Sequence, residues 1–226
     1  METLIKQAED FVTQYLNDHL DANFVYHNLA HTQRVVNKTK ELTEESDIAD
    51  TEKQQLIIAA WFHDTGFTKT IENHETESVM IASEFLKSND ISEDFIEAIR
   101  KLIMATRMAY EPKNELEGLI RDADCAHVSS KKYTDYASLL RKEWELTLGK
   151  KITKSEWLKE NIQFLIQDAK QQVLKYYSGY NIAHIIINNY KIDGVDYTHF
   201  PNETKCNLIS LDILFICLPN DIVLNF

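Results

Sequence analysis

Apolar residues recur along most of this chain at a helical period. In residues 2–19, Leu4, Ile5, Ala8, Phe11, Val12, Tyr15 and Leu16 form an i, i+3, i+4, i+7 stripe, which predicts an amphipathic helix. The break DANFVYHN follows, and a second helix is expected from about Leu29 to Glu45. TEKQ at 51–54 resembles a capping box and opens LIIAAWFHDTG, a run apolar nearly all round, so this helix is expected to be central and buried. Gly66 reads as the glycine that caps its C-terminal end. Further helices are predicted at 74–88, 92–107, 115–129, 133–147 and 153–170, the last opened by TKSE, another capping-box match. No strand alternation stands out before residue 180, nor any internal repeat or low-complexity segment. Residues 181–226 are rich in Ile, Asn and Leu without a clear period. The expected organisation is one domain at 1–180 and a C-terminal segment at 181–226 with no assigned structure.

Composition narrows the class. A chain of 226 residues is long enough for one sizeable core, and 44% hydrophobic with 27% charged residues describes a soluble globular protein. Five glycines and three prolines are few for a loop-rich or β-rich fold and suit long helices. A net charge of −12 argues against broad binding to nucleic acid or to an anionic membrane. A phosphate-bearing substrate would need local positive charge, from a metal or a few arginines. Cys125, Cys206 and Cys217 are odd in number and lack metal-knuckle spacing, which fits a reducing cytoplasm. The opening METLIKQAEDFV is amphipathic and does not read as a signal peptide. The most apolar run, NLISLDILFICLPNDIVLNF, holds two aspartates and a proline and makes a poor membrane span.

Two places carry candidate chemistry. YHNLAHTQRVV at 26–36 sets His27 and His31 four residues apart where a helix begins. Two imidazoles at that spacing can share a metal, divide metal binding from proton transfer, or decorate a surface. In FHDTG at 62–66, a buried apolar helix ends in His63 and Asp64. A carboxylate at a helix C-terminus opposes the macrodipole at a cost of about 0.3–1 kcal/mol, and desolvation adds to it. A divalent cation would relieve both. A lone HD dipeptide is most often an exposed turn beside a core histidine. Here, though, His31 lies upstream, and LIRDADCAH places Asp124 in an apolar helical stretch downstream. His31, His63, Asp64 and Asp124 make a mixed nitrogen and oxygen set, which suits Mn, Fe, Co, Ni or Zn better than Ca or thiolate-preferring metals.

The order H…HD…D on an all-helical chain resembles the HD superfamily of metal-dependent phosphohydrolases. A bacterial group of predicted HD-superfamily phosphohydrolases is the nearer resemblance. It is carried by YHNLAHTQRVV, AAWFHDTGF, NHETES, ATRM, RDADCAH and LLRKEWE, from about residue 1 to about residue 166. After residue 166 the chain departs from that group. The resemblance implies an all-α, HD-domain helical bundle with its metal site in a helix-lined cleft, and His31, His63, Asp64 and Asp124 as ligands.

Tyr-His-Asn-x-x-His also resembles the pattern in class I cyclic-nucleotide phosphodiesterases. Carried over, it makes His31 a ligand and His27 the general acid for the leaving oxygen, a role suited to a side chain that ordinarily titrates near pH 6.5. A neighbouring dication would oppose protonation, so a supporting carboxylate is expected, though the sequence does not say which. In related HD proteins the histidine of NHETES, here His74, binds a second metal or the substrate phosphate, and Glu75 follows it. ATRM offers Thr106 and Arg107 where many HD proteins carry another histidine, so a second ion would rely on a bridging Asp64 and waters. Arg34 and Arg107 are candidate phosphate clamps.

The expected activity is hydrolysis of a phosphate ester in a nucleotide or other small phosphorylated molecule, with one or two divalent transition-metal ions and Mg as a candidate at the second site. Asp64 would bridge or orient. The alternatives are a cyclic-nucleotide or cyclic-dinucleotide phosphodiesterase and a metal-containing nucleotide sensor without turnover. No nucleic-acid or membrane partner is expected, and a homo-oligomer stays open.

Overall fold

A computed structural model of the chain describes residues 2–157, apart from 109, 131, 150 and 154. It is all-α: among the described residues there is no strand. The helices are α1 (Glu2–His19), α2 (Leu29–Glu44), α3 (Asp50–Phe62), α4 (His74–Ser88), α5 (Glu93–Ala105), α6 (Glu115–Asp124) and α7 (Tyr133–Leu148). Short 3-10 turns follow α3 at Thr65–Thr68 and α6 at Cys125–Ser129. Residues 155–157 are helical where TKSE predicts a helix start; the rest of that expected helix, to 170, lies outside the described residues. So do Cys206, Cys217 and the proposed boundary at 180.

Helix α3 is the axis of the fold. Its side chains from Leu56 to Phe62 are all buried, and it packs against α1, α2, α4, α5 and α6. A helix with no polar face finds its minimum only where neighbours surround it, which is why the run LIIAAWF ends up central. Ile58, Phe62, Val35, Leu86, Ile99, Ile103, Leu119 and Ile120 form one hydrophobic cluster around it. Phe62 and Phe85 meet at 5.2 Å between ring centroids, and Phe11 of α1 joins Phe85 at 4.9 Å.

Several boundaries differ from the sequence expectation. Helix α3 starts at Asp50, with Ala49 as its N-cap, so Thr51 lies inside the helix rather than capping it. The Glu52 carboxylate accepts from Ala49 N–H at 2.9 Å, and Asp50 and Glu52 both sit at the positive end of the helix dipole. Helix α5 stops at Ala105, short of the expected 107. The buried Arg121 guanidinium donates to the carbonyls of Ala105 (3.3 Å), Arg107 (2.8 Å) and Tyr110, holding the chain in a turn there. Helix α6 ends at Asp124 and tightens into the 3-10 turn, instead of running on to 129.

Gly66 is not the cap of α3 either. That position belongs to His63, in right-handed helical conformation, and Gly66 lies within the following 3-10 turn. A Cβ at Gly66 would stand 1.9 Å from the His74 carbonyl oxygen and 2.8 Å from Ser78 N. The residue is small so that the turn can seat on the first turn of α4, where Gly66 N–H donates to Ser78 Oγ at 2.8 Å.

The chain divides into two compact units, the first made of Met1–His127 and Asp135–Thr153. The second, Val128–Thr134 with the residues from Lys154 on, lies mostly outside the described residues. All site residues discussed below belong to the first unit. Among the described residues no helix is long and apolar enough to cross a membrane.

Candidate metal centre

Three helix ends bring the polar residues together. Asn28 caps α2, its side chain accepting from Ala30 N–H at 3.0 Å and His31 N–H at 3.4 Å, and so fixes His31 in the first turn. His63 and Asp64 follow the last residue of α3, and Asp124 is the last residue of α6. Both carboxylates therefore stand at the negative ends of helices, where each is disfavoured.

Their donor atoms crowd around one point. His31 Nε2 lies 3.2 Å from Asp64 Oδ2, 3.2 Å from Asp124 Oδ1 and 3.3 Å from His63 Nε2. His63 Nε2 lies 3.2 Å from Asp64 Oδ2 and 3.6 Å from Asp124 Oδ1. His31, His63 and Asp124 offer ligand atoms all within 4.8 Å of one another, and Asp64 Oδ2 lies 3.2 Å from each of the two imidazoles.

Two observations test whether a cation fits. Asp64 Oδ2 is buried and has no hydrogen-bond partner despite its two imidazole neighbours. His63 Nδ1–H donates to Ala60 O at 2.8 Å, which in the neutral ring leaves Nε2 with only a lone pair, facing the Nε2 of His31. Donor atoms roughly 2.0–2.2 Å from one ion stand roughly 3 Å or slightly more apart, close to the spacings seen here. The residues fit a divalent transition metal.

The same crowding shapes the titration of the metal-free cluster. Burial pulls the His31 and His63 imidazoles down, but the neighbouring Asp64 and Asp124 carboxylates outweigh it, and both end above the ordinary value, His63 well above. Burial pushes the two carboxyls up, yet the imidazoles hold both well below the usual range. His127 behaves oppositely. Burial, then the charge of His31, pull it down to about 4, while its Nδ1 lies 3.3 Å from the Asp124 carbonyl.

Two walls flank the centre. On one side His27 precedes the cap of α2, so it shares no helical face with His31; the rings meet edge-on at 5.5 Å between centroids. Glu143 of α7 holds this turn. Its Oε2 accepts from Tyr26 N–H at 2.7 Å and His27 N–H at 2.8 Å, and its Oε1 accepts from His27 Nδ1. Tyr26 packs its ring 5.0 Å from that of His31, with its hydroxyl buried and unpartnered.

On the other side His74 opens α4. Its Nδ1–H donates to Ile71 O at 3.2 Å and its Nε2 lies 3.4 Å from Asp64 Oδ1, so Asp64 presents one oxygen to each side of the site. Burial lowers the His74 imidazole's pKa, but the hydrogen bond to Asp64 wins and the net shift is upward. Arg107 lies beyond, 3.6 Å from Glu75 and bonded to Asn73 Oδ1 at 3.1 Å, while Glu75 stands 3.8 Å from His74. Arg34 lies on the Tyr26 side, its guanidinium over the rings of Tyr136 and Tyr26, at 4.4 and 5.8 Å. Asn73 occupies the N-cap position of α4 in left-handed conformation (φ 56°) and makes no side-chain cap bond.

Sequence reasoning missed Glu143 and Phe67, whose ring lies against both His27 and His74. Glu143 sits in LLRKEWE, which the resemblance had picked out without assigning it a role. Residues 28–128 match the family model of the HD domain. No curated protein and no solved structure matches the chain.

Proposed function

We propose that this chain, a member of the HD superfamily through residues 28–128, hydrolyses a phosphate ester in a small phosphorylated molecule such as a nucleotide. HD domains bind divalent metals and are typically metal-dependent hydrolases, and the His/Asp group found here could hold one. His31, His63, Asp64 and Asp124 would be the ligands. When bound, such a cation supplies Lewis acidity toward phosphoryl oxygens and draws the pKa of water toward 7.

The chain's own residues supply the rest. Asp64, with Oδ1 turned to His74 and Oδ2 to the other imidazoles, orients groups on both sides of the site. His74 and Arg107 would contact the phosphate from the α4 side, and Arg34 from the rim near Tyr26. His27 would protonate the leaving oxygen. The observation that carries this reading is the pairing of His27 with Glu143 beside the metal cluster. With Nδ1–H donated to the carboxylate, Nε2 remains to deliver a proton, and Glu143 offsets the charge that the ring carries while doing so.

A leaving-group series tests the proposal. Metal-loaded protein is expected to release phosphate from nucleotides and alkyl phosphates as well as from nitrophenyl phosphate, with His27→Ala losing most on the alkoxide leaving groups. A profile independent of the leaving group would defeat the general-acid assignment. Comparing bis-nitrophenyl phosphate with nitrophenyl phosphate separates diester from monoester chemistry. Nucleotide binding without any turnover would favour a sensor.

A further inference from the structure

Phe67, in the 3-10 turn after Asp64, has an imidazole stacked on each face. His27 lies 4.7 Å away between ring centroids at 27° between planes, and His74 lies 3.7 Å away at 18°. Two rings that close to a third cannot share one face without overlapping, so they take opposite faces. Phe24 packs against the same ring at 5.3 Å, and Phe67 is only 8% exposed. His27 comes from the turn before α2 and His74 from the start of α4; Phe67 is the group both touch.

His27 is tied by Nδ1 to Glu143, and His74 by Nδ1 to the Ile71 carbonyl, with its Nε2 3.4 Å from Asp64 Oδ1. Such contacts lie in the plane of the ring and leave it free to rotate about them. Stacking against a fixed plane removes that rotation.

We propose that Phe67 is a positioning residue: its ring is the common plane that sets the orientation of both His27 and His74. The inference rests on the hydrolase reading for what the two imidazoles then do. The two anchors differ: a carboxylate holds His27 and a backbone carbonyl holds His74. One ring thus orients the proton donor on one face and the phosphate contact on the other.

The test uses the full chain with labelled histidines. In the wild type, nuclear Overhauser contacts are expected between the Phe67 ring and the ring protons of both His27 and His74; absence of either contact overturns the proposal. In Phe67→Leu both imidazoles should lose their ring-current shifts, while Phe67→Tyr keeps them. Metal content of both variants should equal that of the wild type, since no ligand is touched. Turnover of an alkyl phosphate by Phe67→Leu should fall by roughly 10- to 100-fold, as a displaced catalytic group predicts. The loss on nitrophenyl phosphate should be smaller, and Phe67→Tyr should restore both. Equal losses on the two esters, or imidazole resonances unmoved in Phe67→Leu, would overturn the positioning role. Should the wild type hydrolyse neither ester, the hydrolase reading fails instead, and the spectra alone decide whether Phe67 sets the rings.

Discussion

Asp64 and Glu143 are both buried carboxylates facing imidazoles, at 7% and 2% exposure, yet their oxygens are used in opposite ways. Glu143 accepts from two backbone N–H groups and a ring nitrogen, so its hydrogen bonding goes to the turn that carries His27. Asp64 leaves Oδ2 buried without a hydrogen-bond partner, between two imidazoles that face each other through Nε2. A buried acceptor left unpaired costs about 1–3 kcal/mol, so the Asp64 arrangement stores a demand for positive charge that the Glu143 arrangement has already met. The first leaves an acceptor that a cation would satisfy; the second holds a side chain still.

The sharpest way to break the contrast is to remove charge from the cation side. Asp64→Asn or His63→Ala should abolish tight metal binding and turnover, beyond the roughly 10–100-fold that loss of an outer partner costs. Elemental analysis of protein purified without chelator measures it, and full occupancy in either variant would sink the ligand assignment.

Removing the imidazole that Glu143 holds should separate metal from chemistry. His27→Ala is expected to keep its metal and lose roughly 10²–10⁴-fold in turnover of alkoxide esters. Metal lost together with activity would place His27 in the cluster instead.

Glu143 itself should show a milder version of the same split. Glu143→Gln can still accept from the Tyr26 and His27 amides but presents an NH₂ to Nδ1, so turnover should fall roughly 10–100-fold with metal retained. Glu143→Ala leaves those two amides unpaired and should lower stability by about 1–3 kcal/mol in denaturant titrations. An unchanged midpoint would mean the amides find other partners.

The smallest effect expected is on the pH dependence of the metal-free protein. His31, His63 and His74 have raised pKa values, so the folded state binds more protons than the unfolded chain between about pH 6.5 and the raised values. Their contribution is complete below the unfolded value and is lost as pH rises through the folded ones. Stability without metal should therefore decline from about pH 6.5 upward, while metal affinity, which needs deprotonated ligands, should increase over the same window. Parallel trends in melting experiments with and without metal would contradict the cluster as described.

The helices were legible because their apolar residues keep a helical period: α1 and α4 run over the residues the stripes predict. Boundaries set by contacts distant in sequence were not. The end of α5 depends on Arg121 reaching back from α6, and the size of residue 66 on a backbone contact with α4. The site divides likewise. His63, Asp64 and Asp124 stand out as polar residues in apolar helical stretches and His31 by its spacing to His27, whereas His74 stands out only by the family resemblance. Glu143 does not, since a glutamate in LLRKEWE reads as part of a solvated face, and only the fold brings it to residues 116 and 117 positions earlier. Phe67 was hidden for the opposite reason: a phenylalanine after a glycine reads as core, and its stacking on two imidazoles is visible only in space.

Only a hydrogen atom separates the turn after α3 from the first turn of α4 at Gly66. Any larger side chain would wedge the seam open, with Asp64 on one side and His74 on the other. In a saturation library selected for activity, position 66 would be as intolerant as the ligands, although glycine offers an ion no side-chain donor. The cause would be clearance between two stretches of backbone, and a tolerance map alone would mistake that clearance for chemistry.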